Sequence, residues 1–204
     1  QLQMGIHFNL YMFQGGTNFG FLNGANAFAQ DPENRMKTIY CPDTASYESD
    51  GLLTEYGDIT PKYKAVQRVM ADYLGRELPL PEHVQTQSLG DVPLERVGSL
   101  FDNLEQIGER FTDEFPRNME KYGQSYGYIF YRCRIAAGQH IRLLGFERVY
   151  DRIRIYFNGQ PRGVIERNDE KPYVEPDGWM DEGGVLELLV ENQGRINFGP
   201  DMLW

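Results

Sequence analysis

Cysteine is scarce in this chain, in which Cys41 and Cys133 are the two thiols among 204 residues. This usage excludes a small disulfide-bonded scaffold, and it favours two free thiols in a reducing compartment over a single disulfide. Neither cysteine belongs to a Cys/His cluster with the spacing of a metal site, so these residues predict no metal site. We predict no cofactor for the chain. The localisation stays open, with a lean towards the cytoplasm.

Positive charge is also in short supply, because 20 Lys and Arg residues oppose 30 Asp and Glu residues and leave a formal net charge of −10. This balance argues against binding to nucleic acid or to an anionic membrane surface. No run of 18 apolar residues exists, so no membrane span is predicted. Residues 1–10 lack the features of a signal peptide and position 1 is not Met, so we expect the natural N-terminus to lie upstream.

The first feature that is present is a predicted strand over residues 5–13, which runs into a pair of glycines. Both alternating faces of this strand are largely apolar or aromatic, as in strands buried on two sides in parallel sheets and barrels. We expect Tyr11 near the open end of the strand and His7 as a hydrogen-bonded interior residue. The stretch 23–58 that follows has the composition of a long, ordered loop.

A helix is predicted after this loop. Thr60 suits the N-cap, Pro61 the first helical position and Gly75 a left-handed C-cap, and apolar residues between them recur at helical spacing. Strand, loop and helix together form one β/α unit of a larger α/β fold. The proline-rich residues 77–96 then predict a linker.

Beyond the linker, short apolar runs alternate with turns. The predicted strands are 97–104, 127–135, 141–144, 151–157, 163–166 and 184–191. Asn158-Gly159, between two of them, is a strong hairpin signal. This spacing indicates a jelly-roll-like β-sandwich over 97–204 that is incomplete at its C-terminus.

The glycine-rich string Gly15-Gly16-Thr17-Asn18-Phe19-Gly20 directly follows the first predicted strand. A phosphate-binding loop is disfavoured, because the Rossmann spacing and the P-loop lysine are both missing. Taken alone, the string is weak evidence for a functional site, because a plain tight turn has the same composition.

The longer string Asn9-Leu-Tyr-Met-Phe-Gln-Gly-Gly-Thr-Asn-Phe-Gly-Phe-Leu-Asn-Gly-Ala-Asn26 resembles the last-strand region of the catalytic barrel of glycoside hydrolase family 35, the β-galactosidases. Further stretches resemble later segments of the same family in the same order: 46–63, 123–132, 151–163 and 189–199. The resemblance implies an α+β, multidomain chain. Residues 1–76 would be the terminal strand, loop and helix of a (β/α)8 barrel, and 97–204 the β-sandwich that follows it.

The family resemblance also implies a retaining mechanism with two glutamates about 5 Å apart, one acid/base and one nucleophile. The local motifs of these glutamates, an Asn-Glu pair and a Glu before a Trp-rich stretch, have no counterpart here. We therefore expect neither catalytic residue in this chain. The loop carboxylates are expected to be solvated, capping or ion-paired instead: Glu48, Asp50, Glu55 and Asp58.

By the same resemblance, eight residues are expected to bind substrate: Tyr11, Thr17, Asn18, Phe19, Tyr47, Ser49, Arg195 and Phe198. The first four would line the mouth of the barrel. Tyr47 or Ser49 would touch the non-reducing sugar. Residues 194–199 are predicted to form a glycine-bounded turn that displays Arg195 and Phe198. These two would contact the aglycone side, or Arg195 would only fix the interface between domains.

One position departs from the family pattern. The family usually has Ser-Tyr-Asp-Tyr-Asp where this chain has Ser46-Tyr-Glu-Ser-Asp50, so Ser49 replaces a tyrosine that helps to hold galactose. Three interpretations stay open. Tyr47 or Tyr40 supplies the contact, the specificity has shifted towards another β-linked sugar such as a glucosaminide, or the pocket is weakened.

These observations predict part of an exo-β-galactosidase of carbohydrate metabolism, which hydrolyses terminal non-reducing β-galactosides of oligosaccharides or glycoconjugates. Its partners would be the remainder of the barrel and a further copy in a homo-oligomer, and the isolated chain would be inactive. The alternative is a non-catalytic carbohydrate-binding or interaction module that uses exposed aromatics. The aromatic side chains available for that role are Tyr122, Tyr126, Tyr128, Tyr156, Tyr173 and Trp179, most of which we expect in the core.

Overall fold

The computed structural model describes residues 2–29, 38–46 and 50–199. Contacts divide the chain into a first unit of Gln1–Thr17 and Tyr47–Arg117, and a second unit of Asn18–Ser46 and Asn118–Trp204. Each unit takes residues from two separate stretches, so the domain boundaries at residues 76 and 96 stay a prediction. Cys41 and Cys133 both lie in the second unit, as free thiols.

The first unit contains the predicted helix, α1 (Pro61–Leu74), and its two caps are confirmed. The Thr60 hydroxyl accepts a hydrogen bond from the Tyr63 amide at 3.1 Å. Gly75 adopts φ 62° and ends the helix in the left-handed conformation, which costs glycine little because it lacks a Cβ. A second, four-residue helix, α2, spans Leu104–Ile107.

The predicted strand over residues 5–13 is wrong, because this stretch is irregular after a short 3-10 turn at Leu2–Met4. A strand needs a neighbour for its backbone N–H and C=O groups. Among the described residues, pairing with another segment begins at Phe13, whose carbonyl accepts from the amides of Leu52 and Leu53. The expected interior position of His7 is also wrong, since the residue is exposed.

The predicted strand over residues 97–104 is likewise absent. Val97 is fully exposed. The amide of Asn103 donates to the Leu100 carbonyl at 3.1 Å and closes a turn that leads into α2. Residues 77–96 form no helix or strand, which agrees with the predicted linker.

The second unit is built on a four-stranded antiparallel sheet in the order β3-β8-β5-β6. Its strands are β3 (Gly127–Ile135), β5 (Arg152–Phe157), β6 (Gln160–Glu166) and β8 (Gly184–Asn192). The sequence predicted all four. Asn158 and Gly159 have φ 50° and 73°, as the predicted two-residue hairpin requires.

The core lies on one face of this sheet. Alternating residues of β5 point inwards, because period-two alternation turns every second side chain to the same face. The buried cluster comprises Val149, Ile153, Ile155, Phe157, Ile165, Met180 and Leu186. A two-stranded sheet of β4 (Leu144–Gly145) and β7 (Tyr173–Val174) packs against it through Leu144 and Val174. This arrangement is compatible with the predicted β-sandwich.

A third sheet of the second unit has the order β2-β1-β9. Strand β1 (Gly24–Ala29) pairs antiparallel with β2 (Thr38–Pro42) and parallel with β9 (Arg195–Phe198). The prediction of a loop throughout 23–58 is therefore wrong for the residues of β1 and β2. The stretch 194–199, predicted as a turn, contains the strand β9. The sheet pairs residues of β1 and β9 that are about 170 positions apart along the chain.

Candidate functional site

In the first unit, the predicted site residue Thr17 contacts a carboxylate. The Thr17 hydroxyl donates to Oε1 of Glu55. The Gln14 side-chain amide fixes the same turn, because its Nε2 donates to the Glu55 carbonyl at 3.2 Å and to the Thr54 carbonyl at 3.4 Å. Sequence reasoning set Glu55 aside as one of several loop carboxylates and did not single out Gln14.

Tyr11 is the other predicted site residue of the first unit, and its side chain is displayed to solvent. It is 82% exposed. The neighbouring Phe13 packs edge-on against Tyr63 of α1, with ring centroids 6.2 Å apart. The segment that carries Tyr11 is thus attached at its end, while Tyr11 keeps its ring and hydroxyl available.

The other described loop carboxylates have local partners, as predicted. Asp50 pairs with Lys62. Asp58 lies 2.9 Å from Nδ1 of His83 and caps the Ile59 amide at 2.8 Å. The hydrogen bond with His83 lowers the pKa of Asp58. A carboxylate with a lowered pKa stays ionised and is a poor general acid at neutral pH.

In the second unit, Asn18 and Phe19 have different surroundings. The Asn18 amide N–H donates to the Ala45 carbonyl at 2.7 Å, and its side-chain Nδ2 donates to the Asp43 carbonyl at 2.8 Å. Asn18 therefore ties its segment to the chain just beyond β2. Phe19 is 75% exposed and presents its ring to solvent.

The predicted aglycone residues Arg195 and Phe198 both lie on β9, beside the strand that continues from the Asn18 segment. Nη2 of Arg195 donates to Glu120 Oε1 at 2.5 Å and to the Ser125 carbonyl at 3.1 Å. Phe198 is largely exposed, and its ring lies 6.4 Å from that of Phe28 on β1. One three-stranded sheet thus carries exposed aromatic rings on adjacent strands.

Tyr40, on β2, is buried and does not present its ring or hydroxyl to a sugar, so Tyr40 does not replace the missing tyrosine contact at position 49. The other residue named for this role, Tyr47, stays a prediction. The Tyr40 hydroxyl lies 2.9 Å from Asp151 Oδ2 and 2.6 Å from the Gly194 carbonyl. Burial, together with the charge of Asp151, raises the pKa of Tyr40 well above its usual range. The hydroxyl therefore stays protonated and donates within the protein.

Asp151 is the centre of this buried cluster, and sequence reasoning did not identify it. Its Oδ1 accepts from Nη1 of Arg167 at 2.8 Å. Its Oδ2 accepts from the Gln193 amide at 2.9 Å as well as facing Tyr40. The Arg167 guanidinium also stacks 4.5 Å from the centre of the Tyr40 ring. No local motif marks Asp151, because its partners are distant in sequence.

Two predicted site residues, Tyr47 and Ser49, lie outside the described residues.

Six aromatics that an independent glycan-binding module could use are less buried than predicted. Tyr126 and Tyr128 are exposed, and the remaining four are half-buried: Tyr122, Tyr156, Tyr173 and Trp179.

Within 2–29, 38–46 and 50–199, no cluster of three metal-ligating side chains occurs. No helix in the same ranges is long and apolar enough to cross a membrane.

Comparison with known proteins assigns both parts of the chain. Residues 1–73 match the family model for glycosyl hydrolases family 35, and residues 116–203 match that for the first all-beta domain of beta-galactosidase. A beta-galactosidase of Xanthomonas manihotis is 40% identical over 205 residues, which cover 98% of this chain and 32% of that protein. Beta-galactosidase 8 of Oryza sativa subsp. japonica is 35% identical over 94% of this chain and 29% of its own length.

A human protein, beta-galactosidase-1-like protein 2, is 35% identical over 97% of this chain and 30% of its own length. The chain thus spans about a third of the length of the curated relatives that it matches. The similarity extends through both matched segments, in the order in which they occur here. The chain belongs to glycosyl hydrolases family 35 and includes the first all-beta domain of its β-galactosidases.

Proposed function

We propose that this chain forms part of the substrate-binding wall of a retaining exo-β-galactosidase, which acts on terminal non-reducing β-galactosides. The observation that carries the proposal is the sheet β2-β1-β9. Its first two strands belong to the segment that matches family 35, and β9 belongs to the segment that matches the first all-beta domain. Predicted site residues of both segments are therefore attached to one sheet.

The exposed side chains suit sugar binding more than chemistry. Phe19, Phe28 and Phe198 offer apolar ring faces to the C–H face of a pyranose, and such rings contribute contact area at low cost in side-chain entropy. Thr17 and Tyr11 supply hydroxyl groups that can exchange hydrogen bonds with sugar hydroxyls. In this proposal Tyr47 and Ser49 contact the non-reducing sugar.

In the same proposal, both catalytic glutamates lie outside residues 1–204. Retaining hydrolysis requires two carboxyl groups about 5 Å apart, one of them with a raised pKa. Among the described carboxylates, Glu55 accepts a hydrogen bond from the predicted site residue Thr17. Asp50 and Asp58 pair with basic side chains, and Asp151 is enclosed by three hydrogen-bond donors.

The proposal is tested with a hybrid enzyme, in which this chain replaces the matching third of the Xanthomonas manihotis beta-galactosidase. The expected result is turnover of a nitrophenyl β-galactoside by the hybrid. Phe198→Ala should raise its KM by about fivefold, because about 1 kcal/mol of contact is removed. Phe111→Ala, at an exposed aromatic far from β9 in sequence, is the matched control. A soluble hybrid that binds galactose but does not turn over any β-galactoside would refute the proposal.

A second candidate function is an independent carbohydrate-binding module. The exposed rings on β1 and β9 favour it, since they would serve binding without catalysis. It requires that the isolated chain binds galactosides measurably by calorimetry and that Phe28→Ala and Phe198→Ala abolish the binding. The enzyme proposal expects weak or no binding by the isolated chain.

A further inference from the structure

We infer that Asp151 and Tyr40 are positioning residues for the proposed sugar-binding segment Asn18–Asn26. This inference rests on the function proposed above and concerns how the all-beta domain contributes to it. The two residues touch no substrate in this account. They determine where the segment that carries Asn18 and Phe19 runs, through a set of contacts within the second unit.

The first step is the attachment of β2 to the all-beta domain. Tyr40 projects its hydroxyl onto Asp151 and the Gly194 carbonyl. The backbone of Tyr40 is held as well, because Asn168 Oδ1 accepts from the Tyr40 amide at 2.9 Å and Asn168 Nδ2 donates to the Tyr40 carbonyl at 2.8 Å. One residue of β2 is therefore fixed through both its backbone and its side chain.

The second step leads from β2 to the site segment. The chain leaves β2 at Pro42, and Asn18 binds the next turn through the carbonyls of Asp43 and Ala45. At the other end of the segment, Asn23 Nδ2 donates to the Gln193 carbonyl at 2.5 Å. Both ends of the segment thus depend on chain that is bound to Asp151.

The third step is the role of the carboxylate itself. Asp151 is 3% exposed and joins three elements that are far apart in sequence: Tyr40 on β2, Arg167 after β6 and the amide of Gln193 after β8. A buried carboxylate is stable only when donors satisfy it. The requirement for all three donors fixes their relative positions, and with them the path of Asn18–Asn26.

Hydrogen exchange of the full 204-residue chain tests this inference. In Tyr40→Phe and Asp151→Asn, amides of residues 18–28 and 38–46 should exchange about tenfold faster than in the parent. This follows because hydrogen bonds to a charged group are lost at one attachment point. Amides of β3 should keep their rates. Tyr173→Phe, which removes a hydroxyl elsewhere in the same unit, is the matched control and should leave both regions unchanged.

Kinetics of the hybrid enzyme provide the second measurement. Tyr40→Phe should raise KM for the nitrophenyl β-galactoside by about fivefold with kcat nearly unchanged, because a displaced wall weakens binding of ground state and transition state alike. Parent-like exchange of residues 18–28 in both variants would overturn the inference, as would a uniform increase across β3 and β8. A soluble parent hybrid that binds galactose but is inactive would instead refute the proposed function, and the exchange rates would still decide the positioning role.

Discussion

Asp151 is a buried charge whose position is explained by its donors. A carboxylate removed from water loses several kcal/mol of solvation unless hydrogen bonds and a counter-charge replace it. Here Arg167 supplies the charge, while Tyr40 and the Gln193 amide supply the remaining hydrogen bonds. The carboxylate is thus satisfied by three donors, and its removal leaves Arg167 without its counter-charge.

Substitution of Asp151 by Ala should therefore be costly. We expect the free energy of unfolding to fall by about 3 kcal/mol, because Arg167 would be left as a largely buried charge without its partner. Urea titration followed by circular dichroism measures the change. Glu182→Ala, at an exposed acidic residue of the same unit, is the control and should stay within about 0.5 kcal/mol of the parent.

Tyr40 should make the protein sensitive to alkaline pH. Its folded-state pKa is raised, so its contribution to stability is complete below its unfolded pKa of about 10 and declines as the pH rises above that value. Burial also raises the pKa of Tyr131, to about 12. Tyr131 therefore adds a loss of stability at alkaline pH that is the same in the parent and in a Tyr40→Phe variant. Between pH about 9 and about 11, the free energy of unfolding should fall less in Tyr40→Phe than in the parent. Equal losses would contradict the assignment.

At the scale of elements, local signals determine what sequence reasoning can predict. The caps of α1 and the strands β3, β5 and β8 follow from short patterns, namely a capping residue, a left-handed glycine and period-two alternation. Strands β1 and β9 carry no such pattern. They form because they pair with each other across the chain, and a single sequence contains no local record of that pairing.

The close approach of β1 and β9 predicts a specific sensitivity at Gly199. Its φ is 136°, and a Cβ at this position would lie 1.9 Å from the Ala27 carbonyl oxygen. Gly199→Ala should therefore lower the free energy of unfolding by about 3 kcal/mol, through strain and displacement of β1. Gly138 has φ 79° with open space around it, so Gly138→Ala isolates the backbone cost of about 1 kcal/mol. Equal losses in thermal unfolding of the two variants would contradict the close approach.

At the scale of the whole molecule, the sequence stretches that resemble the family were a better guide to the candidate site than the hydrophobic periodicity was. The strings at 9–26 and 189–199 contain Asn18, Phe19, Arg195 and Phe198, and the structure attaches both segments to one sheet. They did not reveal that the family-35 segment contributes two strands to the unit that contains the all-beta domain. That arrangement depends on the distant contacts of Asp151, which no motif encodes.

The wrong prediction of a strand at residues 5–13 has a physical reason at this same scale. Its apolar residues indicated burial on two faces, yet Ile6, Phe8 and Leu10 are each more than 40% exposed. Apolar alternation shows what a segment can bury. Whether it forms a strand depends on neighbouring strands, which the described residues do not provide to it.

The rate of nitrophenyl β-galactoside hydrolysis by the purified 204-residue chain tests the central claim most directly. The claim is that this chain binds the substrate from one side and leaves bond cleavage to carboxylates outside it. We predict no rate above that of buffer for the chain alone, measured beside the hybrid enzyme as the positive control. Hydrolysis by the chain alone that saturates with substrate and persists through repeated purification would contradict the account.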